Sequence, residues 1–257
     1  MMIREAAVIL LDSARLLGRA EPLTLLFAML AGILLAAVAW WGAVNYTKLW
    51  NLRFEPNTIH HAACGFAALL TLMATISFVA LGQAKEAAKR RILAWEKALA
   101  ADQPYEIETG IKAYHRIKAS GLEVFDPKVH YASPGKNFFY PVTRDETRRL
   151  AAGVFLEAAI ADFRAKHPYL HRVIWKRSEV PYQRVVEDRK SYLGGGSYPA
   201  NRYFIVAARE ILRDLEPQTP RVVGSARRWL AVFFLLAQAI PFSVIGWAAY
   251  RDLKETH

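Results

Sequence analysis

Three long apolar stretches without any Asp, Glu, Lys or Arg divide the chain. They cover residues 23–44, 59–81 and 229–250. An α-helix rises about 1.5 Å per residue and the hydrocarbon core of a bilayer is about 30 Å thick, so roughly 20 such residues cross it. Three helices buried in a soluble core are the alternative, but the rest of the chain is too short to surround them. The pattern therefore predicts three transmembrane helices, the first two forming a hairpin over residues 23–82.

Aromatic residues stand where these stretches begin or end. Trp40 and Trp41 lie near the end of the first stretch, Trp229 opens the third, and Trp247 and Tyr250 close it. Amphipathic aromatic rings favour the headgroup level of a membrane, where one edge is apolar and the other is wet. Their positions support the predicted span boundaries.

Basic residues are divided unequally between the two ends of the predicted spans. Those next to the long insert are Lys85, Lys89, Arg90, Arg91, Arg221, Arg227 and Arg228, whereas the loop over 45–58 has only Lys48 and Arg53. The positive-inside bias then places the insert, residues 83–228, and the N-terminus in the cytoplasm. The loop and the tail over 251–257 face outward, although Arg251 and Lys254 in the tail run against the trend.

Residues 1–22 form a separate element before the first span. The apolar positions that recur at helical spacing are Ile3, Ala6, Ala7, Leu10, Ala14 and Leu17, and Glu21-Pro22 marks a break. A short amphipathic helix beside a span is typical of a segment that lies in the membrane interface. Docking on a partner subunit is the alternative, and the sequence does not separate the two.

The insert over 83–228 is long enough for one domain with its own core. It has 27 Lys+Arg against 17 Asp+Glu, so it accounts for most of the net charge of +11. Its first helix continues the second span, with an apolar stripe ending at Leu99, and Pro104 stops it. A shorter helix follows over 107–120, and Gly121 ends it.

The second half of the insert has the stronger helix signals. Thr143–Glu146 matches a capping box that opens a helix closed by Pro168. Residues 170–176, rich in β-branched and aromatic side chains, predict one short strand. Helices are expected over 180–192 and 200–215, the last ended by Pro217 and Pro220. The fold class expected is an all-α membrane protein, with a mostly helical cytoplasmic domain between the second and third spans.

Histidines and the single cysteine are the candidates for catalytic or metal chemistry. His60, His61 and Cys64 open the second span, but the first span offers no facing ligands, so we interpret the histidines as polar caps. One cysteine also excludes a zinc site built on thiolates. The acid–base candidates for an enzyme are His115, His130, His167 and His171. No nucleophile or phosphate-loop motif accompanies them, so we assign no catalytic residue, metal or cofactor.

The predicted spans contain no ionisable Asp, Glu, Lys or Arg. Ion and proton pathways generally need such groups, so a transporter is disfavoured. Gln238, near Pro241, is the main polar residue of the third span, and we expect it to form a hydrogen bond between helices.

Basic residues are the candidates for contact with anionic lipid or with a partner protein. Contacts with anionic lipid or a partner are assigned to Lys85, Lys89, Arg90, Arg91, Arg144, Arg148, Arg149, Arg227 and Arg228. Acidic residues such as Glu146 and Asp188 lie among the basic ones, which favours a mixed solvated surface over a nucleic-acid groove.

These observations give one leading hypothesis for function and two alternatives. The leading one is a non-enzymatic scaffold subunit of a multi-protein assembly, for example a secretion or DNA-conjugation apparatus, with other membrane subunits as partners. The first alternative is a membrane-tethered protein that binds nucleic acid or anionic lipid, and the second is a membrane-proximal enzyme. The Ala- and Arg-rich composition favours the inner membrane of a bacterium.

Overall fold

The computed structural model describes residues 2–50, 54–122, 145–174, 179–191 and 198–255, and 92% of them are helical. The helices are α1 (Met2–Ala20), α2 (Pro22–Asn45), α3 (Thr58–Ala80), α4 (Ala84–Ala100), α5 (Gln103–Ala119), α6 (Asp145–Lys166), α7 (Pro168–Ile174), α8 (Tyr182–Ser191) and α9 (Asn201–Glu255). Short 3₁₀ turns follow α2 at Tyr46–Trp50 and α3 at Leu81–Gln83. The helical fold class is thus confirmed, and these ranges contain no β-strand.

Three helical segments are long and apolar enough to cross a membrane. They are Pro22–Lys48, Thr58–Ala100 and Asn201–Glu255, and each contains one of the predicted stretches. Large apolar side chains on their outer faces, such as Phe27 and Leu235, are more than half exposed. Water solvates such faces poorly, whereas lipid hydrocarbon matches them.

The chain forms two compact units. The membrane unit comprises Ala7–Ala87 and Pro220–His257, and the polar unit comprises Met1–Ala6 and Ala88–Thr219. In the membrane unit α2 and α3 pack through small residues: Ala28, Gly32 and Ala36 recur every fourth position on the buried face of α2. A Cβ added at Gly32 would lie 2.9 Å from Leu72 Cδ1, so glycine permits this close approach.

The third span meets the hairpin at two polar contacts. Gln238 of α9 donates to Thr71 Oγ1 of α3 at 2.5 Å, and the Tyr46 hydroxyl donates to the carbonyl of Phe242 at 2.6 Å. Beside the second contact, a buried apolar cluster contains Ala43, Cys64 and Ile245, with Tyr46, Phe54 and Phe242 packed around it. Polar groups in hydrocarbon need internal partners, and these two contacts provide them.

The polar unit has an aromatic core. Trp95 of α4 packs on Phe163 of α6 with ring centroids 4.9 Å apart, and its indole N–H donates to Asp162 at 2.8 Å. Phe155 stacks on Tyr203 of α9 at 5.1 Å. The indole N–H of Trp95 therefore has an acceptor, while the aromatic rings fill the core.

The first part of the chain follows the predicted element order. Glu21 separates α1 from α2, which has Pro22 in its first turn. Helix α4 follows α3 with only the 3₁₀ turn between them, as predicted for a helix continuing from the second span. Gly121, which adopts φ 71°, ends α5 in the left-handed conformation that glycine accepts readily. Thr143 and Arg144 of the predicted capping box lie outside the described residues.

The strand predicted over residues 170–176 is wrong where the structure describes it. Pro168–Ile174 is helix α7, with Leu170 and Ile174 buried one turn apart. A proline in the first turn suits a helix because its missing N–H has no helical acceptor there. Glu5 of α1 then accepts the backbone N–H of Tyr169 at 2.7 Å. The cap comes from a distant part of the chain, which local propensity could not show.

The prediction that Pro217 and Pro220 end the last helix of the insert is also wrong. Helix α9 runs without interruption from Asn201 to Glu255, so it includes both prolines and the third span. Each proline removes one backbone hydrogen bond from the helix. The Thr219 hydroxyl, between them in sequence, donates to the carbonyl of Leu215 at 2.6 Å.

Candidate docking site on the polar unit

Helices α8 and α9 are joined by arginines around two buried carboxylates. Asp188 of α8 accepts the Tyr198 hydroxyl at 2.7 Å, Arg202 Nη2 at 2.7 Å and Arg209 Nη1 at 2.6 Å. Arg202 Nε also donates to Asp188 at 3.1 Å, which completes a two-pronged contact. Charge-assisted bonds of this kind are worth about 1.5–3 kcal/mol each. They hold α8 and the start of α9 together.

The second carboxylate, Glu210, lies one residue after Arg209 and accepts from both helices. Arg184 of α8 approaches it at 3.0 Å and Arg213 of α9 at 3.1 Å. Arg184 also donates to Glu187 at 2.8 Å. Because Glu210 is buried, it needs these cations to compensate its charge. The arginines are therefore held in defined positions.

A groove of about 330 Å³ runs along this network. Arg184, Arg209 and Arg213 line it together with the acidic side chains. Arg209 and Arg213, which lie one turn apart on α9, keep 56% of their side chains exposed although each contacts a buried carboxylate. We call this surface the arginine groove. Its arginines are oriented from beneath by the carboxylates and have donors left for an external acceptor.

Burial perturbs two ionisable groups beside the groove. The pKa of Tyr198 is raised, first by burial and then by its hydrogen bond to Asp188. Burial also raises the pKa of Glu96 on α4, and the positive charges of Arg209 and Arg202 oppose that change. Both effects favour the neutral form of a group next to fixed charges.

The sequence-derived contact residues do not converge on this groove. On α4, Lys89 and Arg90 are exposed and Arg91 is partly buried, and on α6 Arg149 is exposed and Arg148 partly buried. In the membrane unit, Lys85 and Arg228 are exposed and Arg227 packs on Phe78, while Arg144 lies outside the described residues. Gln238 makes the contact with Thr71 described above.

The residues of the groove and its supporting network that were missed from sequence were Arg202, Arg209, Glu210 and Arg213. The i, i+4 spacing of Arg209 and Arg213 was visible, but such spacing on a helix usually means a solvated face. Their shared orientation depends on Asp188 and Glu210 being buried between two helices. Burial of a carboxylate cannot be read from a charged stretch of sequence.

Several described histidines make structural contacts, whereas His61 and the candidate His115 are exposed. His60 Nδ1 accepts the backbone N–H of Asn57 at 3.0 Å, which completes a capping box at the start of α3. His167 Nδ1 lies 3.2 Å from Glu5 Oε1, and His171 faces Phe163. His130 lies outside the described residues. Within those residues no group of three His, Cys, Asp or Glu side chains could hold a metal ion.

Comparison with models of protein families, with curated proteins and with solved structures found no match to this chain.

Proposed function

We propose that this chain is a non-enzymatic scaffold subunit of a multi-protein assembly in the bacterial inner membrane, such as a secretion or DNA-conjugation apparatus. In this proposal the three apolar helices anchor the protein, and the arginine groove of the polar unit docks an acidic segment of a partner subunit. The observation that carries it is the pair Arg209 and Arg213, each fixed by a buried carboxylate and each 56% exposed. Arginine presented in a fixed orientation suits carboxylate recognition and loses little entropy on binding.

The proposed sidedness is supported by the basic residues that flank the spans. Lys89, Arg90 and Arg91 follow the second span and Arg227 and Arg228 precede the third. Positive charge near span ends favours the cytoplasmic side, so the polar unit faces a cytoplasmic partner in this proposal. Modification of Lys112, which is exposed, by a reagent that cannot cross the membrane of intact cells would contradict that orientation.

The docking proposal is tested by co-purification of the full chain in mild detergent from its native cells after crosslinking. We expect wild type to retain defined membrane subunits and the double variant Arg209→Gln/Arg213→Gln to lose them. Arg116→Gln is the control for loss of an exposed arginine, because Arg116 pairs with a carboxylate that is itself exposed, Glu157 at 2.8 Å. It should retain the partners. A monodisperse wild-type monomer, or equal losses in the two variants, would contradict the proposal.

A second candidate function is binding of nucleic acid by the polar unit. It is favoured by cations such as Lys89, Arg149 and Lys190, which have no acidic partner among the residues that the structure describes. Binding to phosphates weakens steeply with salt because counterions are released. The full chain in detergent should then be retained on immobilised DNA at low salt and released on raising it. Absence of retention at low salt would eliminate this candidate.

A further inference from the structure

Arg227 of α9 is held against an aromatic ring at one end of the membrane unit. Its guanidinium carbon lies 4.9 Å from the centroid of the Phe78 ring on α3. Its Nη2 is 4.0 Å from the position that a Cβ would take at Gly82, in the 3₁₀ turn that follows α3. An arginine stacked on a ring keeps its in-plane N–H groups available for an acceptor.

The described part of the chain provides no acceptor for these donors. No carboxylate pairs with Arg227 there, and its Nε is buried without a hydrogen-bond partner. Arg209 and Arg213 of the polar unit differ, since each contacts a buried carboxylate. A guanidinium that is desolvated on one side and lacks an internal anion is an incomplete site, because unmade bonds to a charged group are costly. A ligand with anionic oxygens would complete it.

Neighbouring residues place this site at headgroup level. Gln83, one residue after Gly82, donates to Glu21 at 3.2 Å, so the start of α2 and the end of α3 lie at one height. Trp229 follows Arg227 by two positions and is 71% exposed, as is typical of an interfacial tryptophan. Exposed apolar side chains continue along α9 from Val232 and Phe233. An acyl chain could follow these side chains while its phosphate reaches the arginine.

Charge distinguishes this end of the membrane unit from the other. The charged residues within 18–22, 81–87 and 220–228 are Arg19, Glu21, Lys85, Glu86, Arg221, Arg227 and Arg228, so cations outnumber anions. The charged residues at the other end, within 45–58 and 251–255, are Lys48, Arg53, Glu55, Arg251, Asp252, Lys254 and Glu255, so cations exceed anions there by only one. Each basic residue near a membrane surface adds attraction for anionic lipid. The end that holds Arg227 is therefore the end where anionic headgroups accumulate.

We propose that Arg227, positioned by Phe78, binds the phosphate of an anionic phospholipid. This site is separate from the arginine groove and does not depend on a protein partner. The same chemistry would suit inorganic phosphate, but the exposed apolar side chains that continue along α9 from Val232 and Phe233 favour a ligand with acyl chains. The lipid is thus a defined ligand of the membrane unit, held by one oriented guanidinium.

The test is native mass spectrometry of the full chain released from detergent micelles that contain phosphatidylglycerol or phosphatidylcholine. We expect wild type to retain phosphatidylglycerol preferentially and Arg227→Gln to lower its retention at least about tenfold, because a charge-assisted bidentate contact is lost. Arg228→Gln is the matched control, because this neighbouring arginine is exposed and has no aromatic partner among the described residues. Its replacement should lower phosphatidylglycerol retention several times less than Arg227→Gln does. Arg227→Lys should retain an intermediate amount of phosphatidylglycerol, because lysine keeps the positive charge but lacks the planar guanidinium.

A second variant and a competition arm complete the test. Phe78→Leu keeps an apolar side chain but removes the ring, and we expect it to weaken phosphatidylglycerol retention even if Arg227→Gln fails to fold. Excess inorganic phosphate should leave the lipid bound. Equal effects of Arg227→Gln and Arg228→Gln, undiminished retention in Phe78→Leu, equal retention of the two lipids by wild type, or displacement by inorganic phosphate would each overturn the proposal.

Discussion

Replacing Gly246 with alanine tests how closely α9 packs against the end of α2. The Tyr46 hydroxyl donates to the carbonyl of Phe242 at 2.6 Å, and a Cβ added at Gly246 would overlap that hydroxyl. Either the tyrosine or α9 must therefore move. Overpacking of this kind costs about 1–3 kcal/mol. Helix propensity returns up to about 1 kcal/mol of this cost, so we expect Gly246→Ala to lower the free energy of unfolding by about 1–2 kcal/mol.

The hydroxyl itself contributes much less. In α9 the Phe242 carbonyl is four residues before Gly246, so the helix already supplies it with a backbone donor, and Tyr46 adds a second. Tyr46→Phe therefore leaves no buried group unsatisfied and removes one interhelical bond, worth about 0.6 kcal/mol in a membrane. In the double variant the alanine methyl group occupies space that the hydroxyl vacated. The two changes should then cost about 1–2 kcal/mol less than the sum of the single variants.

Thermal unfolding in mild detergent, followed by tryptophan fluorescence, measures this coupling. For a chain of this size about 1 kcal/mol corresponds to a change in Tm of roughly 2–4 °C. Gly224→Ala is the control, because it lies on the same helix and a Cβ there meets nothing within 4 Å. Helix propensity makes that change neutral or stabilising by up to about 1 kcal/mol. The reasoning is refuted if Gly246→Ala behaves like Gly224→Ala, or if the double variant shows the full sum of the single effects.

Three further predictions concern the polar unit. Glu5→Ala should speed hydrogen exchange at the Tyr169 amide and lower the free energy of unfolding by about 1–2 kcal/mol, as for a lost helix cap. Arg4→Ala, at an exposed position, should change neither the exchange rate nor the stability. Equal effects of the two variants would rule out the cap. Burial lowers the pKa of His167, so the free energy of unfolding should decline as pH falls below about 6.5. The decline should be smaller in His167→Gln. An identical pH profile for wild type and this variant would contradict the prediction. Burial raises the pKa of Glu96, so the stability that its protonated form gives the fold is lost as pH rises through the folded-state pKa. Glu96→Gln should therefore be at least as stable as wild type at pH 7. A clear loss of stability in this variant at pH 7 would contradict the prediction.

The sequence-based account was accurate where the solvent for a segment can be read from composition. The stretch over 59–81 has no charge, and Thr58–Ala80 is a helix of the length that a bilayer requires. Gly121 ended a helix because the left-handed conformation favours glycine over any other residue. These features depend on side-chain chemistry and spacing along one segment, so no knowledge of distant residues was needed.

Local signals misled where a distant residue or a packed neighbour overrode them. The stretch over 170–176 looked like a strand from its apolar side chains, but residues 170–174 are helical, and Glu5 accepts a backbone N–H in the first turn of α7. Pro217 and Pro220 looked like helix ends, but α9 is continuous through both. A proline costs a helix about 3 kcal/mol, which packing along both flanks can offset.

By itself the sequence determined which segments are long and apolar enough to cross a membrane, that the long insert is basic and mostly helical, and that Gln238 is a polar position within an apolar helix. Only the tertiary structure decided what the charged residues contact. Asp188 and Glu210 orient arginines because two helices bury them, and Arg227 lies on Phe78 because α3 and α9 meet there. Hydrophobicity is a property of each segment, whereas the partner of a charge is a property of the packed fold.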